Sequence, residues 1–268
     1  MFMQNPTFQT FLSRFYKTPK GLSLLNDEKL LLERSLEKVF GYYLLQLGIS
    51  CEDDLVQNSR VSRKVFADAI RPSHLSSEKV QAFVLTDLNY LPFKDDSIDA
   101  VLLPHTLESV SDPYHLLRQV DKMLVPEGHV LITGFNPFGC HVIRQKFGEN
   151  SQIFKRANLV KESRVVDWLN VLGYEIQKIS YSSLSCVTKD IENYQPSSFL
   201  LILEHWMDKV GLDLGNVYCI VARKKVGSPT PVGLNWRFAP WQTVKKGRVI
   251  ANSEVHHRSS SVNDKKTS

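Results

Sequence analysis

The residues best suited to chemistry in this chain stand where short apolar runs stop. "FVLTDL" ends at Asp87, "AVLLPHTLE" leads into His105 and Glu108, and "VLITGFNP" leads into Asn136. A carboxylate at Asp87 can accept from an exocyclic amine such as that of adenine, or cap the turn that follows. The imidazole of His105 has a proton affinity poised near neutrality, which suits a general base; the position equally suits a half-buried side chain bonded to backbone. Asn136, before Pro137, can orient a substrate or close a turn. Upstream, "YYLLQLGISCEDD" offers Gly48, where backbone could approach a ligand. Asp68 follows twenty residues later, the offset at which a carboxylate reaches a ribose in dinucleotide sites.

Several familiar chemistries lack their signatures. There is no G-x-G-x-x-G or Walker A loop, so the usual NAD, FAD and ATP sites are not expected. No H-E-x-x-H, C-x-x-C or G-x-S-x-G occurs, and the eight histidines do not cluster, so no metal site or serine-hydrolase elbow is expected. The four cysteines, Cys51, Cys140, Cys186 and Cys219, are scattered, which fits a reducing, cytoplasmic setting.

Positioning these residues requires strands that end at them. "YYLLQLG", "RKVFADAI", "VQAFVLTDL", "IDAVLLP" and "VPEGHVLITGFNP" read as successive strands, followed later by "EIQKISY" and "NVYCIVARKK". "FQTFLSRFY" and "LLNDEKLLLERSLEKVF" have helical spacing. In the second, Leu25, Leu32, Leu36, Val39 and Phe40 share an apolar side and Gly41 is the expected stop. "SDPYHLLRQVDKML" is a helix with Ser111 or Asp112 as cap and Pro113 in its first turn. "LVKESRVVDWLNVLGY" and "SSFLLILEHWMDKVG" complete the helices. Apolar strands alternating with helices predict an α/β fold, a mostly parallel sheet covered on both faces.

With 43% hydrophobic and 23% charged residues, the 268-residue chain can fill a core without disulfides. Its apolar runs are too short to span a bilayer, so no membrane insertion is expected. The net charge of +5 is unevenly placed: residues 223–268 carry ten Lys/Arg against two Asp/Glu, a local +8, and the remainder carries −3. Such a tail can attract nucleic acid or simply solubilise the chain. The body offers no aromatic ladder that would favour nucleic acid as partner. The expected organisation is an N-terminal helical lid over residues 1–40, a central domain over 41–226, and a basic extension over 227–268, disordered beyond about residue 250.

The stretch "VLTDLNYLPFKDDSIDAVLLPHTLESVSDPYHLLRQVDKMLVPEGHVLITGFNP" resembles the core of class I S-adenosylmethionine-dependent methyltransferases, type 11 branch. "LLQLG", "LPHTLE" and "DWLNVLG" are similar to a bacterial subgroup of these proteins. The resemblance implies a Rossmann-like, three-layer fold with a seven-stranded sheet whose last strand is antiparallel. It also implies S-adenosyl-L-methionine as cofactor and a small-molecule acceptor. By the same resemblance Gln46 replaces the acid near the methionine amine, and of the family's glycine loop only Gly48 is kept, with Ser50 and Glu52 at later glycine positions. Asp68 matches the ribose acid, Asp87 the adenine acid with Leu88 supplying the next N–H, and Pro104, His105 and Thr106 the wall beneath the transferred methyl. Phe15 and Tyr16 match lid aromatics. His105 is the expected base, with Asn136 orienting. The competing expectations are a methyltransferase-fold protein that binds cofactor or a partner without transfer, and a nucleic-acid methyltransferase or binder that uses the basic tail.

Overall fold

A computed structural model describes residues 6–48, 55–69, 82–147, 151–182 and 215–225. The chain divides into two units, 1–226 and 227–268, and all described residues belong to the first. The expected helix in "SSFLLILEHWMDKVG" and the basic extension lie outside the described residues.

Two helices come first, α1 (Pro6–Phe15) and α2 (Pro19–Leu36). Thr18 starts α2: its hydroxyl accepts from the Gly21 N–H, and Pro19 occupies the first turn, where its missing N–H costs nothing. The helix ends at Leu36, before Gly41, and Phe40 is 61% exposed rather than part of the apolar side. Gly41 instead lies against Asp99, whose carboxylate accepts from the N–H groups of Tyr42 and Tyr43.

The strands are β1 (Tyr43–Leu47), β2 (Arg63–Asp68), β3 (Ala82–Leu85), β4 (Ile98–Pro104), β5 (Leu124–Phe135), β6 (Tyr174–Tyr181) and β7 (Val217–Lys224). They form one sheet in the order β3-β2-β1-β4-β5-β7-β6. The first five are parallel, and β7 runs antiparallel to both β5 and β6. The order reverses between β1 and β4, which opens a crevice at their carboxyl ends, where ligands of such sheets bind.

Helix α3 (Pro113–Met123) is capped by Asp112, which accepts from the His115 N–H, and it buries Leu116, Leu117, Val120 and Met123. With α6 (Glu162–Val171) it covers one sheet face, meeting Leu45, Leu47, Val101, Leu103, Val130 and Ile132. The opposite face, bearing Leu44, Phe66, Leu102, Leu131 and Cys219, is covered by α1 and α2 together with α4 (Cys140–Phe147) and α5 (Ser151–Arg156). The last two helices were not expected; both are short and lack a long apolar period. Strand alternation thus delivers a three-layer Rossmann-like fold. Each fully buried Leu or Val contributes about 1.5–3 kcal/mol of transfer free energy before chain entropy is subtracted.

Candidate functional site

The carboxyl ends of β1, β2, β4 and β5 converge on the crevice between β1 and β4. At the end of β1, Gln46 points to the face covered by α1 and α2, since its neighbours Leu45 and Leu47 belong to the other core. The side chain is 2% exposed. Its amide donates to the Gly48 carbonyl at 3.2 Å, and its carbonyl oxygen Oε1 is buried with no hydrogen-bond partner among the described residues. A buried acceptor without a donor is costly, about 1–3 kcal/mol, so this atom marks a place where a donor group belongs.

Gly48 adopts φ +84°, a conformation that favours glycine, and its N–H donates to the Ala67 carbonyl. A side chain at Gly48 would meet Thr106 Oγ1 at 2.9 Å and approach Gln9 of α1. Thr106 itself donates to the Leu47 carbonyl at 2.5 Å, which ties the segment after β4 to the end of β1. On its Cβ side, therefore, Gly48 is covered by protein. Beside it, at the end of β2, Asp68 is 2% exposed and accepts from the Ala69 N–H.

Asp87 is exposed after β3, and its Oδ1 accepts from both the backbone and the side chain of Asn89. This is the turn-capping role weighed from the sequence, with Oδ2 pointing to no described partner. Leu88 next to it is fully buried. Asn136 is buried and shapes the turn after β5: its Oδ1 accepts from the Phe138 N–H, and its N–H donates to the Asn216 carbonyl. Ser50 and Glu52 lie outside the described residues.

The densest polar cluster surrounds His105. Pro104 closes β4 opposite Thr133, and His105 then turns the chain with φ +51°, an uncommon conformation for a residue with a side chain. The imidazole is 1% exposed. Its Nδ1 lies 3.1 Å from Glu108 Oε1, and its Nε2 lies 3.5 Å from Glu28 Oε2. The second contact is an ion pair, the longer of the two. Glu28 comes from α2 and accepts from Tyr16 Oη at 3.1 Å and Thr133 Oγ1 at 2.5 Å. Glu108 accepts from the Phe135 N–H at 2.7 Å.

Burial alone would push the His105 pKa down; the charges of Glu28 and Glu108 outweigh it and lift the value to about 10. Burial alone would raise Glu28, and the His105 charge with the bonds from Thr133 and Tyr16 outweighs that, holding its pKa low. His105 is therefore an imidazolium between carboxylates at neutral pH. It has no free lone pair with which to take a proton, which is the opposite of the poised base expected from its position. Among the described residues no group of three His, Cys, Asp or Glu side chains is arranged to hold a metal ion.

Of the expected residues, Gln46, Gly48, Thr106 and Pro104 gather at the ends of β1 and β4, with Asp68 beside them. Tyr16 joins through Glu28, and Phe15 stacks on Phe11 at 5.7 Å, farther out on α1. Sequence reasoning missed Glu28, Thr133 and Gln9. Glu28 had left a signal: it sits between Leu25 and Leu32 at helical spacing, a carboxylate on a buried stripe.

Comparison with known proteins agrees with this architecture. The Methyltransf_11 family, described as a methyltransferase domain, matches residues 56–132. The chain is 32% identical over 159 residues to the uncharacterized protein YafS of Escherichia coli (strain K12), covering 54% of this chain and 59% of that relative. The chain thus spans somewhat over half the length of the curated relative it matches. A SAM dependent methyltransferase from Archaeoglobus fulgidus superposes with a TM-score of 0.56 at 19% identity, over 80% of this chain and 98% of that one. The complex between the Haloferax volcanii Trm112 methyltransferase activator and a methyltransferase gives 0.55 at 14% identity, over 84% and 98%. At these identities the structural likeness shows the fold.

Proposed function

From its fold and its match to the methyltransferase-domain family over residues 56–132, we propose that this chain is a class I methyltransferase that binds S-adenosylmethionine and transfers the methyl group to a small-molecule acceptor. The observation that carries this reading is the buried Gln46 Oε1 at the end of β1, without a hydrogen-bond donor among the described residues, beside the buried carboxylate of Asp68. The donor set suits the cofactor. An ammonium group would give Gln46 Oε1 the donor it lacks, and a ribose would present hydroxyls to Asp68. Asp87 Oδ2 and the Leu88 N–H suit an adenine edge.

When bound, the cofactor supplies a methyl carbon already activated by sulfonium. What remains for the protein is to orient the acceptor, exclude water and hold fixed charge. In this proposal Tyr16, Glu28 and Phe135 exclude water around the end of β4. His105 holds a permanent proton and positions the lid helices, while Asn136 fixes the turn after β5. An acceptor that is already nucleophilic, such as a neutral amine or a thiolate, suits a site with no free base.

A second reading is a methyltransferase-fold protein that binds without transferring. It is favoured by the packing of Thr106 and Gln9 over Gly48. Incubation of the full chain with S-adenosylmethionine and fractionated small-molecule extract separates the two. Formation of S-adenosylhomocysteine above the level of a Gln46→Ala variant supports transfer. Cofactor binding without any such product supports the second reading.

A further inference from the structure

Away from the crevice, a cleft of about 690 Å³ opens between the last turns of α2 and the β6–β7 edge of the sheet. Arg34 lines it from the last turn of α2 and Lys38 from just beyond that helix, Lys178 and Glu175 from β6, Arg223 from β7 and His129 from β5. Val221 and Ser35 form part of its wall. His129 pairs with Arg223, six residues before the Phe135 end of β5, so the cleft lies roughly 20 Å from the crevice along the strand. It is a different place from the candidate cofactor site.

Its charge is unbalanced. Arg223 is paired with Glu127 and Glu175, each at 3.1 Å. The side chains of Arg34, Lys38 and Lys178 make no hydrogen bond or ion pair among the described residues. His129 reports the same field: partial burial and then the Arg223 charge hold its pKa low. Arg34 and Lys38 also sit where the negative end of α2 favours cations, but Lys178 comes from a strand and has no such reason. Three cations without a side-chain partner among the described residues, from two separate parts of the chain, line one metabolite-sized cleft.

We propose that this cleft is a second ligand site, which takes a small polyanion carrying at least two phosphate or carboxylate groups. Such a ligand would bridge α2 and β6, pairing Arg34 and Lys38 on one side and Lys178 on the other.

The test is calorimetric titration of the full chain with tripolyphosphate and, separately, citrate. Three proteins are compared: wild type, the pocket variant Arg34→Gln/Lys38→Gln/Lys178→Gln, and a charge-matched control, Lys245→Gln/Lys246→Gln/Lys265→Gln. The expected result is binding of at least one probe, weakened about ten-fold or more in the pocket variant and changed less than about two-fold in the control. The preferred probe tells phosphate from carboxylate chemistry. Lys178→Gln alone, expected to weaken binding several-fold, serves if the triple pocket variant fails to fold by circular dichroism. No binding of either probe by wild type, equal losses in both triple variants, or a loss confined to the control would overturn the proposal.

Discussion

Glu28, on the second helix, and His105, at the end of β4, bring their charged atoms within 3.5 Å of each other inside the core, each only 1% exposed. The N-terminal helices are thereby fastened to the crevice by charge as well as by apolar packing. Tyr16 and Thr133 complete the carboxylate's hydrogen bonds, so the pair is held both from the end of α1 and from β5. Because the charges are buried, removing one partner leaves the other uncompensated.

Glu28→Gln is expected to destabilise the chain by about 3 kcal/mol, measured as a shift in the urea unfolding midpoint at unchanged slope. An effect under about 0.5 kcal/mol, the range of surface substitutions, would show that the pair carries little of the N-terminal helices' attachment.

The same pair sets a pH dependence. His105 titrates at the ordinary 6.5 when unfolded and at about 10 when folded. Its contribution is complete below pH 6.5 and is lost as pH rises toward 10, at no more than about 1.4 kcal/mol per pH unit for one proton. Glu28, whose folded pKa is held low, contributes above the ordinary 4.5 and loses that contribution as pH falls below it. The stability difference between wild type and His105→Gln should therefore shrink between pH 7 and 10. A difference that stays constant across that range would mean that His105 is not held protonated.

Gly134 lies under Tyr218 and Glu108. A Cβ there would stand 2.4 Å from the Tyr218 hydroxyl and 3.1 Å from Glu108 Oε1. Both neighbours are buried, and Tyr218 is anchored by donation to the Val160 carbonyl, so neither can move aside freely. Gly134→Ala is expected to cost about 2 kcal/mol by overpacking, read as a lowered thermal midpoint. An unchanged midpoint would show that the cluster can relax.

Where local pattern decided structure, the sequence was readable. The Asp112–Pro113 start of α3 and the β-branched run of β5 follow from propensity and capping, and the alternation of strands with helices predicted the sheet. The antiparallel β7 came from family resemblance, because strand direction leaves no mark on composition. The end of α2 was misplaced because Val39, which is buried, continues the helical spacing past Leu36. At the site, spacing located His105 but not its charge. That depends on Glu28, far away in sequence, and on burial, which a single-residue reading does not contain. The cleft beside Lys178 was likewise invisible, since it joins α2, β5, β6 and β7.

The most direct measurement is calorimetric titration of the full chain with S-adenosylmethionine, wild type against Gln46→Ala. The account predicts micromolar binding by wild type and a loss of about ten-fold, near 1.4 kcal/mol, when Gln46 Oε1 is removed. Folded wild type that gives no heat of binding up to millimolar cofactor would contradict it. So would equal affinity in the two proteins.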